Sequence, residues 1–206
     1  WDAGRSVIMC RDDAGIICDL LCSPFSHYSK VHEYGGMAYA VGSDSVYFVN
    51  AADQRIYRMG LSSEQTPTAL TEDGLRFADL AIDATHQRLI AIGEQHHEDR
   101  EPENFIAAIS LATGDVSKLA SGADFYAYPS ISPDQQQLSW IEWHHPNMPW
   151  DCTQLWLASL TDNALTDQTL IAGEDNNEAI FQPQWSPDNQ LYFVSDKHNW
   201  WNIYRI

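Results

Sequence analysis

Along the whole chain, apolar and polar residues alternate in short runs, and each run is broken by Gly, Pro, Asp or Asn. Alternation sends successive side chains to opposite faces of a strand, and no stretch sustains the helical period, so the pattern predicts an all-β fold. One strand pattern recurs: a Gln or Asn followed by alternating apolar residues, at 54–59, 104–109, 154–158 and 202–206, roughly one copy per 50 residues. A weaker copy, 5–11, lies one period upstream. A second element keeps phase with the first, an apolar strand, a tight turn and another apolar strand, at 37–49, 80–92, 128–141 and 183–194. In the last two the turn is Ser-Pro-Asp, beginning at Ser132 and Ser186. Proline presets φ there, and Asp bonds neighbouring backbone amides. Strands at 16–21, 66–70, 116–120 and 168–172 complete each unit.

Four antiparallel strands per period are the signature of β-propeller blades, labelled a to d from the inside outwards, which pack radially because one blade cannot bury both faces alone. A β-sandwich also has many short strands, but it does not repeat its third strand at near-constant spacing. The expected fold is therefore a propeller fragment spanning 1–206, about four blades of four antiparallel strands, truncated at both ends. Residues 1–22 supply strands c and d of one blade, 31–71, 76–120 and 125–172 form whole blades, and 180–206 supply strands a to c of another. Open blade edges invite self-association. The chain starts at Trp1, so any export signal lies out of view.

Charge narrows the partners. With 11 Lys+Arg against 29 Asp+Glu the formal net charge is −18, which argues against nucleic acid and an anionic membrane surface as partners. No apolar run reaches the roughly 18 residues of a membrane span. The 44% hydrophobic and 19% charged fractions are those of a chain that can build a core. Cys10, Cys18, Cys22 and Cys152 form no CxxC pair, and three of the four, within or beside strand-like segments, read as small buried hydrophobes. A structural disulfide stays open, and the reduced-looking cysteines lean towards the cytoplasm.

Loop lengths carry the functional signal. The a-to-b turns are tight (42–45, 84–87, 132–136), whereas 23–34, 94–103, 144–152 and 196–200 are long. In an up-and-down blade the b-to-c and d-to-a connections emerge on the same side, so one face is elaborated, and binding resides on such loops. That face carries His96, His97, Glu98, Asp99 and Glu101, then His144, His145, Asn147, Trp150 and Asp151. Imidazole and carboxylate can ligate a metal, but the spacing matches no metal-site pattern, so neither metal nor cofactor is expected. Trp150, Trp200 and Trp201 serve either a pocket or the inter-blade core. No G-x-S-x-G, P-loop, H-E-x-x-H or G-x-G-x-x-G occurs, so no catalytic residue is assigned.

Several stretches together resemble the N-terminal propeller of bacterial serine peptidases of the prolyl oligopeptidase family, in the dipeptidyl aminopeptidase and acylaminoacyl-peptidase branch. They are Val31-His32-Glu33-Tyr34-Gly35-Gly36, Asp53-Gln54-Arg55-Ile56-Tyr57-Arg58, His145-Pro146-Asn147-Met148-Pro149-Trp150-Asp151 and Trp200-Trp201-Asn202-Ile203-Tyr204-Arg205. The resemblance implies a C-terminal α/β-hydrolase domain, absent from this sequence, that carries a Ser, Asp and His triad. The propeller would restrict access so that short peptides reach the nucleophile. It further implies a carboxylate for the substrate's amino terminus, with Glu33 as the candidate beside Tyr34, against the plainer role of a backbone hydrogen bond at the start of a strand. His144, His145, Asn147, Trp150 and Asp151 complete the candidate binding set. The alternative is a TolB-like, non-catalytic propeller that docks a protein partner.

Overall fold

The computed structural model describes residues 4–61, 66–175 and 177–206; the first three residues of the 1–22 segment and 62–65 of the 31–71 segment lie outside them. The strands run as antiparallel meanders in chain order. A two-stranded sheet, β1 (Met9–Arg11) and β2 (Ile17–Asp19), precedes a four-stranded one of β3 (Tyr39–Val41), β4 (Ser45–Val49), β5 (Ile56–Gly60) and β6 (Thr68–Ala69). The next four-stranded sheet is β7 (Arg76–Asp83), β8 (Arg88–Gln95), β9 (Glu103–Ser110) and β10 (Val116–Ser121). Then come β11 (Phe125–Ile131), β12 (Gln137–Trp143), β13 (Gln154–Leu160) and β14 (Leu165–Ala172), and a three-stranded sheet of β15 (Ile180–Trp185), β16 (Leu191–Ser195) and β17 (Asn202–Arg205). The first strands of successive sheets, β3, β7, β11 and β15, touch one another, which makes them the innermost strands of a radial array. The chain is a β-propeller fragment, as the repeat predicts.

The core lies between sheets and not within them. Val49, Ile56, Phe77, Leu89 and Phe105 join the first two four-stranded sheets. Ile90, Ile106, Tyr126, Leu138 and Trp140 join the next two, and Ile141, Leu155, Ile180 and Phe193 join the last pair. A strand covered on both faces needs an almost continuous apolar run, and β4 and the stretch of β8 through Glu94 are buried at every position. Arg88 sits in this interior because all of its reach is satisfied. Its Nε donates to Asp83 Oδ2 at 2.7 Å, and Nη1 and Nη2 donate to the carbonyls of Asp162 and Thr161 at 2.8 Å each. A buried guanidinium without such partners would carry a large desolvation penalty.

Three of the innermost strands, β7, β11 and β15, are irregular where the middle strands are not. Register breaks between Ala78 and Ala81 in β7, Ala127 and Ser130 in β11, and Phe181 and Gln184 in β15. Each break holds a non-glycine residue in the left-handed region: Asp79 (φ 54), Tyr128 (φ 55) and Gln182 (φ 53). These are β-bulges, and they explain why strands expected to begin at Leu80 and Pro183 begin at Arg76 and Ile180. The extra residue resets the alternation, so a period-two reading loses the strand at the bulge. The cysteines also depart from expectation: Cys152 is buried and Cys10 half-buried, but Cys18 and Cys22 are exposed. A two-stranded sheet has too few neighbours to cover both faces of β2.

Candidate functional site

A cavity of about 710 Å³ opens along the innermost strands. The bulge side chains of Asp79, Tyr128 and Gln182 line it, together with Leu80, Pro129, Phe181 and Pro183. Two loops wall its mouth, 31–37 through Val31, His32, Tyr34 and Met37, and 148–150 through Met148, Pro149 and Trp150. One is a d-to-a and the other a b-to-c connection, so the two long-loop types do meet on one face.

The first loop is shaped by its sequence. His32 (φ 53) and Glu33 (φ 64) are both left-handed, and Gly35 continues the turn at φ +87. A Cβ on Gly35 would lie 2.7 Å from the Ser29 carbonyl oxygen, and one on Gly36 would lie 2.8 Å from Asp79 Oδ1. Only glycine permits those approaches, which is the physical content of the His-Glu-Tyr-Gly-Gly stretch. Anchors come from the neighbouring sheets: Lys30 N donates to Gln54 Oε1 at 2.7 Å and His32 N to the buried Glu94 Oε2 at 2.7 Å. Two adjacent strained residues held this way are a feature of functional loops.

His32 is the residue that sequence reasoning missed. Its ring meets Phe125 edge-on at 5.2 Å and Trp143 at 5.7 Å, while Phe125 and Trp143 stack at 5.2 Å. Burial pushes the imidazole pKa down, against the opposing pull of Glu94 and Asp79. The ring is therefore a neutral wall near neutral pH, with the Tyr34 hydroxyl 3.4 Å from Nδ1. Tyr34 and Tyr128 are pushed up, first by desolvation and then by nearby acidic groups that include Asp79, so both stay protonated hydroxyls. Burial likewise pushes Tyr126 up to about 12.

Among the described residues, Asp79 is the one carboxylate on the cavity wall, and no Lys or Arg lines it. Its Oδ1 accepts from Met37 N at 2.8 Å and its Oδ2 from Tyr128 N at 3.0 Å, so one side chain ties β7 to β11 and to the loop that leads into β3. Asp tolerates left-handed φ better than most residues, which suits it to the bulge.

The candidate residues separate into two groups. Tyr34 and Trp150 line the cavity, and Trp150 is 60% exposed at its rim. Glu33 stands outside the lining, exposed, with Arg76 Nη1 at 2.6 Å holding its pKa down. Glu33, Glu94 and His96 converge closely enough to suggest a cation site. Arg76 already fills that role, its Nη1 also 3.3 Å from Glu94 Oε1, so the cluster reads as an ion-pair network. His144 and His145 flank Asp124, 3.5 and 3.3 Å from its Oδ2, and the His145 ring packs on Phe125 at 4.9 Å. Asp151 Oδ2 accepts from Met148 N at 2.9 Å, and Asn147 Nδ2 donates to Cys152 Sγ at 3.7 Å. Both hold the turn that presents Trp150 and stay off the wall. Trp201 meets Phe181 edge-on at 5.6 Å, and both Trp200 and Trp201 are exposed and outside the lining.

An aromatic cavity with one fixed carboxylate and a few hydroxyls and amides is equipped to bind and orient a small ligand. The fold and this cavity define a β-propeller whose elaborated face offers a ligand-sized mouth. A puromycin hydrolase mutant complexed with PGG aligns with the entire chain at 30% identity and a TM-score of 0.91. A Mycobacterium tuberculosis puromycin-hydrolyzing peptidase aligns with 99% of it at 32% identity and a TM-score of 0.87. The chain spans 34% of the length of each. Over its whole length the chain is similar to the propeller part of such peptidases, which are of the prolyl oligopeptidase family. TolB from Acinetobacter baumannii matches at 14% identity and a TM-score of 0.60, over 97% of this chain and 45% of its own, and shows the fold alone. No family model matches the chain, and no curated protein matches it.

Proposed function

We propose that this chain is the substrate-gating part of a serine peptidase for short peptides, working with a hydrolase domain on the same polypeptide. The observation that carries the proposal is the cavity on the innermost strands, walled by the two long-loop types, in a chain similar throughout to peptidases that hydrolyse puromycin. A mouth of that size admits a few residues of extended chain and excludes a folded protein. Of the two carboxylates open to the role, Asp79 suits a peptide's amino terminus better than Glu33. Asp79 faces the cavity without a cationic neighbour on its wall, whereas Glu33 is already paired with Arg76. An ammonium drawn out of water needs such a counter-charge.

Apolar side chains stand exposed on the first and last sheets, Met9, Ile16 and Ile17 on one and Ile203 on the other, and further blades would cover them. The reading frame tests the proposal. It is expected to run on through more blades into a G-x-S-x-G segment, and the whole protein should cleave short peptide anilides and puromycin. A frame that closes shortly after Ile206 would refute the assignment.

A further inference from the structure

We propose that Cys10 and Cys18 form a covalent modification site, a cross-strand disulfide that clips the β1–β2 hairpin. The two residues are direct partners in the antiparallel register, between Met9–Asp19 and Arg11–Ile17. Leu20 N donates to Ile8 O at 2.8 Å and Asp12 N to Ile16 O at 3.0 Å, two residues to either side. Alternation along the ladder makes Cys10 and Cys18 a hydrogen-bonded pair as well, for which the Cα atoms lie about 5.5 Å apart. That spacing falls at the centre of the range disulfides occupy. The sulfurs already touch at 3.1 Å, and Cys18 is open to solvent, so a small oxidant reaches the pair without any backbone movement. The site is independent of the cavity and of the gating role, since neither cysteine lines the cavity.

The chemistry needs a disulfide co-reactant, for which oxidised glutathione serves. One cysteine thiolate attacks a glutathione sulfur and expels glutathione thiolate, leaving a mixed disulfide. The other cysteine, as thiolate, attacks the protein sulfur of that mixed disulfide and expels the second glutathione thiolate. Two protein thiols are thus oxidised to one disulfide, and the two protons they lose pass to the two expelled thiolates, so one glutathione disulfide is reduced to two glutathione thiols. The hydrogen bond shared with Cys10 pushes the Cys18 thiol up, followed by desolvation and the charges of Cys10, Asp12 and Asp19. Exchange should therefore speed up as pH rises and more thiolate forms.

Arg11 lies between the two cysteines, so trypsin separates them unless they are linked. The chain would be treated with oxidised glutathione at about pH 8, alkylated and digested without reductant. The expected product joins the peptide ending at Arg11 to the one running from Asp12 to Lys30, about 2 Da lighter than the free pair. It should persist in Cys22→Ser, vanish in Cys18→Ser, and form faster at higher pH. A linkage that disappears in Cys22→Ser, glutathione adducts that never resolve, or full alkylation of Cys10 and Cys18 would each overturn the proposal.

Discussion

The middle strands and the innermost strands of the same sheets obey different rules. In β8 and β9 the pairing runs unbroken from Arg88–Ser110 to Gln95–Glu103, and nearly every side chain is buried. In β7, β11 and β15, one sheet position inward or its equivalent, the ladder breaks at a bulge held by a left-handed Asp79, Tyr128 or Gln182. Regular strands gain stability from contact on both faces. The bulged strands give up ladder hydrogen bonds and accept backbone strain, and they turn those three side chains into the cavity. The fold therefore rests on the middle of each blade, and the site is built where regularity is given up.

The comparison breaks most visibly at Trp140. Its ring is buried on β12, stacks on Trp156 at 6.4 Å and donates from Nε1 to Glu142 at 2.8 Å. Trp140→Ala is expected to cost about 4 kcal/mol, read as a lowered urea midpoint. A loss below about 1 kcal/mol would show that the middle strands are not what holds the blades together.

Asp79→Ala tests the innermost strands. It orphans the amides of Met37 and Tyr128 and puts alanine at φ 54, for a loss of about 2 kcal/mol. Asp79→Asn keeps an acceptor and tolerates the backbone, so it should recover more than half of that stability. Equal losses from both variants would mean that the negative charge, and not the tie between strands, matters.

His32 gives a smaller, pH-dependent effect. Its folded pKa is depressed by burial, so as pH falls through about 6.5 the unfolded chain takes up a proton that the folded chain does not. Stability from this group is complete above that pH and declines below it, down to the folded pKa. Denaturant midpoints between about pH 7 and pH 5 should therefore slope less in His32→Asn than in the native chain, since Asn keeps the left-handed backbone and does not titrate. Parallel slopes would remove His32 as a buried neutral wall.

The outline of the fold was legible because one strand of each sheet has a repeated sequence, from Gln54 to Asn104, Gln154 and Asn202. The bulges were not, since the three left-handed residues share no chemistry. In the site, Tyr34 and Trp150 could be singled out from their motifs, and both line the cavity. His32 could not, because what places it is Phe125 and Trp143, far along the chain, and Glu94 at the base of its loop. Glu33 drew notice as a carboxylate beside an aromatic, while the Arg76 that occupies it lies in the next sheet. Exposure of Cys18 follows from how few strands flank β2, which local alternation does not report.

Trp150 gives the smallest stability effect and the most direct test of gating. It stands exposed at the cavity rim, so Trp150→Ala should change stability by no more than about 0.5 kcal/mol. Steady-state hydrolysis of a short peptide anilide by the whole protein should then show KM raised about tenfold, equivalent to about 1.4 kcal/mol of lost binding, with little change in kcat. Unchanged KM and kcat in that variant would contradict the claim that substrates pass this mouth.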